Sequence, residues 1–267
     1  MNRRKFIYNS SIASLSVVGL NSCNILDKNV KISILHTNDV HSQIEPFPFN
    51  HNIYPDRGGF AKRANIFKGL MKINPNTLIF DAGDIFQGTP YFNFFQGELE
   101  LNLMKKMGYN AATIGNHEFD AGLDILKRNI LNNDFQFISS NYDFTNTALE
   151  GLVSRYKVYK KQNIKIGVFG LGIELNGLVN SSLYKETKYH DPIEISNEMT
   201  HKLKTEEKCD LIICISHLGH TYQGDKISDL KLGRLTSDID LIIGGHTHTL
   251  LKKPEIIKNS KNKDEIN

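Results

Sequence analysis

From Val30 onward, short apolar runs alternate with longer stretches of helical periodicity. The runs at 31–37, 77–82, 111–114, 135–139, 156–160, 164–170, 211–216 and 241–244 are rich in Ile, Leu, Val and Phe, and most are bounded by Gly, Asn, Asp or Pro. That pattern predicts buried strands. The stretches 59–72, 98–107, 121–131, 192–207 and 231–237 read as helices. In the second of these, Leu99, Leu103, Lys106 and Met107 fall near one face and Gly108 supplies a stop. Pro192, directly after Asp191, marks a helix start with a capping side chain. Strands alternating with helices predict an α/β fold. No fixed-period repeat and no Gly/Ser- or Pro-rich linker divides the chain, so one domain is expected. Residues 252–267, dominated by charged residues and Asn, read as surface or disordered chain.

Charge adds one distinction. Of 32 basic and 29 acidic residues, three basic ones are Arg3, Arg4 and Lys5, and residues 1–22 contain no acidic group. The remainder is neutral, which gives no electrostatic argument for a nucleic-acid polymer as partner. Residues 1–22 combine this basic start with a modest apolar stretch from Ile12 to Leu20, too short for a permanent membrane span of about 20 residues. They read as a signal peptide. Arg3-Arg4-Lys5-Phe6-Ile7 resembles a twin-arginine export signal, and Leu20-Asn21-Ser22-Cys23 resembles a lipobox in which Cys23 is acylated. A general secretory leader is the alternative, and either one exports the protein to the periplasm or cell envelope. Any membrane association would then run through a lipid anchor. Cys209 and Cys214 lie in one predicted strand. At about 3.3 Å per residue they would stand roughly 16 Å apart, beyond the ~7 Å reach of a disulfide, so buried free thiols are expected.

The informative residues follow the strands. Asp39-Val40-His41 follows the first run, Asp84 the second and Asn116-His117-Glu118-Phe119-Asp120 the third, while His217 and His246-Thr247-His248 follow the last two. Ligands in α/β sheets bind at the carboxyl ends of the strands, where these five loops can converge. Asp39, His41, Asp84, Asn116, His217, His246 and His248 are the candidate metal ligands. Seven exceed the three or four that one zinc takes. Two ions about 3.5–4 Å apart would use them if one carboxylate bridges. The mixed oxygen and imidazole set suits Zn, Mn, Fe or Co. Among the other histidines, His36 reads as a packed core residue and His220 as a loop histidine without a partner. His51, His190 and His201 read as solvent-facing or locally bonded, and Arg57-Gly58-Gly59 as structural.

The segments ISILHTNDVHSQI (32–44), DAGD (81–84), YNAATIGNHEFD (109–120), SHLG (216–219) and DLIIGGHTHT (240–249) together resemble the calcineurin-like metallophosphoesterases. Within that superfamily they resemble the exported 5'-nucleotidases that include bacterial UDP-sugar hydrolases. The resemblance spans residues 30–250 and implies a four-layer α/β/β/α sandwich with two mixed sheets. It implies two divalent metal ions, one held by Asp39, His41, Asp84 and His248, the other by Asp84, Asn116, His217 and His246. Asp84 would be the bridge. His117 and Asp120 match the family's catalytic pair, and Asn116 and His117 would also touch substrate. The implied activity is hydrolysis of nucleotide phosphomonoesters by a hydroxide bridging the metals. A non-catalytic surface protein of the same fold is the competing class, and the retention of all seven ligands with His117 argues against it. Relatives commonly continue into a second domain that binds the nucleobase. Here a single domain over 23–267 is expected, with the specificity domain absent or supplied by a separate chain.

Overall fold

The computed structural model describes residues 30–259. The leader, with Cys23, lies outside them. Strand β2 (Thr77–Asp81) is buried at every position, and its alternate side chains serve two different cores. Ile79 packs with Phe60, Phe67, Leu101, Met104, Leu123 and Leu126. These belong to helices α1 (Phe60–Ile73), α3 (Glu98–Met107) and α4 (Leu123–Asn133). Leu78 and Phe80 face the other way, against Ile166, Val168, Ile213, Ile215 and Ile243.

Those last residues come from a second sheet, built of β5 (Tyr156–Lys161), β6 (Ile164–Leu171), β8 (Leu211–Ser216) and β9 (Leu241–Gly244) in that order. On its far side, Phe169, Ile212 and Cys214 pack against Met199, Leu203 and Leu232, from α6 (Pro192–His201), the wider turn that extends it (Lys202–Glu206) and α7 (Asp229–Leu235). Three apolar cores between four layers make the expected α/β/β/α sandwich. The first sheet runs β1 (Ser33–Thr37), β2 and β3 (Ala111–Ala112), all parallel. In the second, β5 is antiparallel to β6 and the remaining pairs are parallel. A small antiparallel ladder joins β4 (Tyr142–Asp143) to β7 (Lys188–Tyr189). Two short helices, α2 (Pro90–Phe95) and α5 (Ser181–Tyr184), give too few turns for a periodicity signal.

Local signals hold where they rest on specific chemistry. Asp191 caps α6 by accepting hydrogen bonds from the backbone N–H of Ile193 and Glu194. Gly108 ends α3 in the left-handed conformation, at φ 86°. Cys209 and Cys214 are buried free thiols.

Three expectations are corrected. The apolar run 135–139 forms only isolated bridges, Ala112 to Phe137 and Ile138 to Ser154, because no strand lies alongside it for longer. The helix expected over 192–207 gives way after His201 to the wider turn. A groove of about 770 Å³ remains beside β1 and β9, the end strands of the two facing sheets. His36 lines that groove and is exposed rather than packed, because the second sheet ends at β9 and does not cover it. No helix among the described residues is long and apolar enough to cross a membrane.

Candidate metal centre

All seven predicted ligands follow the carboxyl ends of parallel-paired strands, and hydrogen bonds knit their loops together. Asp39 N donates to Gly83 O at 2.9 Å and His41 N to Asp84 O at 3.0 Å, tying the exit of β1 to that of β2. His246 N donates to Asp39 Oδ1 at 2.9 Å, which joins the exit of β9 to that of β1. His217 Nδ1 donates to Ala82 O at 2.6 Å and so crosses from one sheet to the other.

The backbone at this end departs from ordinary geometry. Asp39, His41, Asp84, His246 and His248 all have positive φ, between 43° and 74°. For L-residues that conformation costs about 1–2 kcal/mol each, and such outliers cluster at functional sites. Gly115 permits the closest approach: a Cβ there would lie 2.3 Å from Asp84 Oδ1 and 2.9 Å from His217 Cε1.

Two triads result, each with ligand atoms mutually within 4.8 Å: Asp39, His41 and His248, and Asp84, His217 and His246. A third triad of His41, Asp84 and His117 connects them. His41 Nε2 lies 3.1 Å from His248 Nε2, and His248 Nε2 lies 3.5 Å from Asp39 Oδ1. On the other side, His217 Nε2 lies 3.0 Å from Asp84 Oδ2. His217 and His41 each place Nδ1 against a carbonyl, of Ala82 and Phe86 respectively. In the neutral rings this fixes the proton on Nδ1 and leaves the Nε2 lone pair facing inward, the tautomer a metal ligand requires.

Burial dominates the electrostatics. It opposes ionisation of the Asp84 carboxyl, but the charge and hydrogen bond of His217 outweigh it and hold that pKa below the usual range. Burial would likewise lower the His217 pKa, and Asp84 drives it up instead. His246 is pushed down to about 4, by burial and then by the charge of His217.

Sequence reasoning passed over three carboxylates packed around these loops. Asp81 is fully buried, with its pKa raised to about 8 by burial, and it accepts hydrogen bonds from Thr37 Oγ1 and Gly83 N. Asp229 is raised to about 7, also by burial, and accepts from Ser216 Oγ. Glu118 accepts from main-chain N–H groups. Its place inside the Asn116–Asp120 segment was the one available signal.

The residues fit divalent cations. Asn116 Oδ1 is buried without a hydrogen-bond partner. Orphaned acceptors of that kind normally carry a cost that some partner removes. Several carboxylates share a small desolvated volume with neutral-capable imidazoles, the environment in which cations are the largest stabilising charges.

His117 stands beside this set, its ring 5.2 Å from that of His41. Its Nδ1 lies 2.7 Å from Asp120 Oδ2. That hydrogen bond is the main cause of a raised His117 pKa, against the opposing effect of burial. The pair sits on a 3₁₀ turn, His117–Phe119, which brings residues three apart to one side. The other described histidines belong to none of the ligand triads. His51 is locally bonded, its Nδ1 accepting from Ile53 N and Tyr54 N. His220 does have a partner, contrary to expectation: Nε2 lies 3.3 Å from Glu255 Oε1.

Known proteins share this arrangement of sequence and fold. A 5'-nucleotidase of Vibrio vulnificus is 32% identical over 252 residues, 90% of this chain and 44% of that protein. The trifunctional nucleotide phosphoesterase YfkN of Bacillus subtilis is 30% identical over 262 residues, 86% of this chain and 17% of the relative. Among solved structures, a 5'-nucleotidase precursor from Thermus thermophilus matches with a TM-score of 0.78 at 31% identity, over 86% of this chain and 46% of that one. The chain thus spans less than half the length of these relatives. Residues 32–250 match the calcineurin-like phosphoesterase family, which uses divalent metals. Having both the family's sequence pattern and its fold, the chain belongs to the calcineurin-like phosphoesterases.

Proposed function

We propose that this chain is a dinuclear, metal-dependent phosphomonoesterase acting on nucleotides outside the cytoplasm. The observation that carries the proposal is the convergence of two ligand triads that share a seam at Asp84 and His41, with the His117–Asp120 pair beside them. Asp39, His41, Asp84 and His248 are assigned to one cation, and Asp84, Asn116, His217 and His246 to the other. Two divalent cations held there would polarise a phosphate and lower the pKa of an attacking water.

The remaining chemistry falls to the chain's own groups. Asp120 accepts from His117 Nδ1 and fixes the ring, and the raised pKa favours the imidazolium, so that Nε2–H can donate to the phosphate or its leaving oxygen. Asn116 could direct its amide N–H to a phosphate oxygen, and its Oδ1, which has no hydrogen-bond partner, would be free to bind a cation. The donor set suits Zn, Mn, Fe or Co. Export follows from the leader sequence, with Cys23 as the proposed lipid attachment site. Choice among nucleotides is assigned to a specificity domain beyond the matched region, a reading supported by the relatives' greater length.

The test is phosphate release by the purified chain with Mn or Zn from AMP, a UDP-sugar, a cyclic nucleotide and p-nitrophenyl phosphate. Hydrolysis of AMP that chelator abolishes and metal restores is expected. Failure on every substrate across several metals would overturn the assignment.

A further inference from the structure

We infer that Glu118 is a positioning residue that sets the geometry of Asp84 and Asn116, and thereby the affinity of the site for its cations. This rests on the dinuclear reading above. Glu118 is fully buried, and its carboxylate receives four main-chain N–H groups from two different loops. Oε2 accepts from Asp84 N at 3.0 Å and Gly115 N at 2.6 Å; Oε1 accepts from Ile85 N at 2.7 Å and Phe86 N at 3.3 Å. Asp84–Phe86 form the exit of β2, and Gly115 precedes Asn116 on the exit of β3.

Ordinary sheet pairing stops short of these residues. The β2–β3 register ends at Asp81 opposite Ala112, and one further bond, from Thr113 N to Asp81 O, closes the ladder. Beyond it the two exits stay in close approach without ladder pairing, a Cβ on Gly115 falling 2.7 Å from Asp84 N, and Asp84 adopts a left-handed φ of 57°. Glu118 takes over there as the joint. With its oxygens occupied by N–H donors, it is placed to orient ligands rather than to serve as one.

The pattern of these bonds separates this from a purely structural role: each oxygen of Glu118 takes two main-chain donors, and Oε2 joins Asp84 N directly to Gly115 N, the residue before Asn116. Glutamine at this position would keep one acceptor oxygen but turn an NH₂ group toward main-chain donors, leaving buried N–H groups unpaired.

The test compares chelator-stripped wild type, Glu118→Gln, Glu118→Asp and Leu126→Ala by calorimetric titration with Mn²⁺ and by melting with and without Mn²⁺. Leu126, in the helix core away from the site, is the reference for simple loss of packing. Glu118→Gln should weaken Mn²⁺ binding by about 10- to 100-fold and shrink the Mn²⁺-induced rise in Tm. Glu118→Asp, which keeps two acceptor oxygens on a shorter arm, should recover part of both. Leu126→Ala should lower both melting temperatures and leave Mn²⁺ affinity unchanged. Wild-type affinity in Glu118→Gln, or equal loss of Tm with and without Mn²⁺, would overturn the inference. If the Gln variant does not fold, Glu118→Asp decides, and unchanged affinity there overturns it. Absence of Mn²⁺ uptake by the wild type would overturn the dinuclear reading itself, and this inference with it.

Discussion

The two halves of the centre differ in their exposure to water. In the half formed by Asp84, His217 and His246, the His217 side chain is 0% exposed and that of Asp84 3%. In the half formed by Asp39, His41 and His248, Asp39 is as buried, at 4%, but His248 is 61% exposed. The buried half carries the large pKa displacements. Under the proposed dinuclear reading the difference would assign separate tasks. Desolvation would make the inner half depend on a cation to offset its charges, whereas the outer half, open to solvent, would admit substrate and let an ion exchange.

Perturbing the shared residue should have the largest effect. Asp84→Asn removes charge from both halves, so metal stoichiometry and phosphate release should fall together, with activity below that of the single-ligand and His117 variants. Retention of two cations by that variant, read by elemental analysis, would break the account of Asp84 as the bridge. His117→Ala should lower turnover by about 10²- to 10⁴-fold while metal content stays at the wild-type level. Loss of metal in that variant would place His117 among the ligands instead.

The outer half should respond more mildly. His248→Gln keeps a neutral ligand atom at an exposed position. Its Mn²⁺ requirement should rise by about 10-fold, with most activity recovered at saturating Mn²⁺. The same change at His217, Gln for His, should not be rescued by excess metal. Equal rescue of both would erase the distinction between the halves.

The smallest effect concerns stability alone. Asp81 has a folded pKa near 8, raised by burial above its ordinary value of 3.8. The folded state therefore holds this proton more tightly than the unfolded chain, and the associated stability is full below about pH 4. It is lost as pH rises toward 8. In metal-free protein, Asp81→Asn should flatten the decline in Tm between pH 5 and 8, since an amide does not titrate. An unchanged slope would show that Asp81 does not contribute to it.

What could be read from the sequence followed chemistry that repeats. Five strand exits carry Asp, His or Asn, most of them beside glycine, so the seven ligand candidates, His117 and Asp120 stand out from the sequence alone. Glu118 does not, although it lies between two of them. Its significance comes from accepting main-chain N–H groups 32–34 residues away, a relation with no side-chain signature. Asp81 and Asp229 are hidden for the same reason: burial, not spacing, makes them distinctive. The run 135–139 has strand composition, but pairing requires a neighbour of matching length, and only bridges form. The exposure of His36 depends on where the opposite sheet stops, which local alternation cannot encode.

The most direct test of the central claim is phosphate release from AMP by chelator-stripped chain as Mn²⁺ is added in measured equivalents. The account predicts little activity up to one ion per chain and a rise to its maximum as the second is taken up. Maximal activity at one equivalent, or hydrolysis independent of added metal, would contradict it.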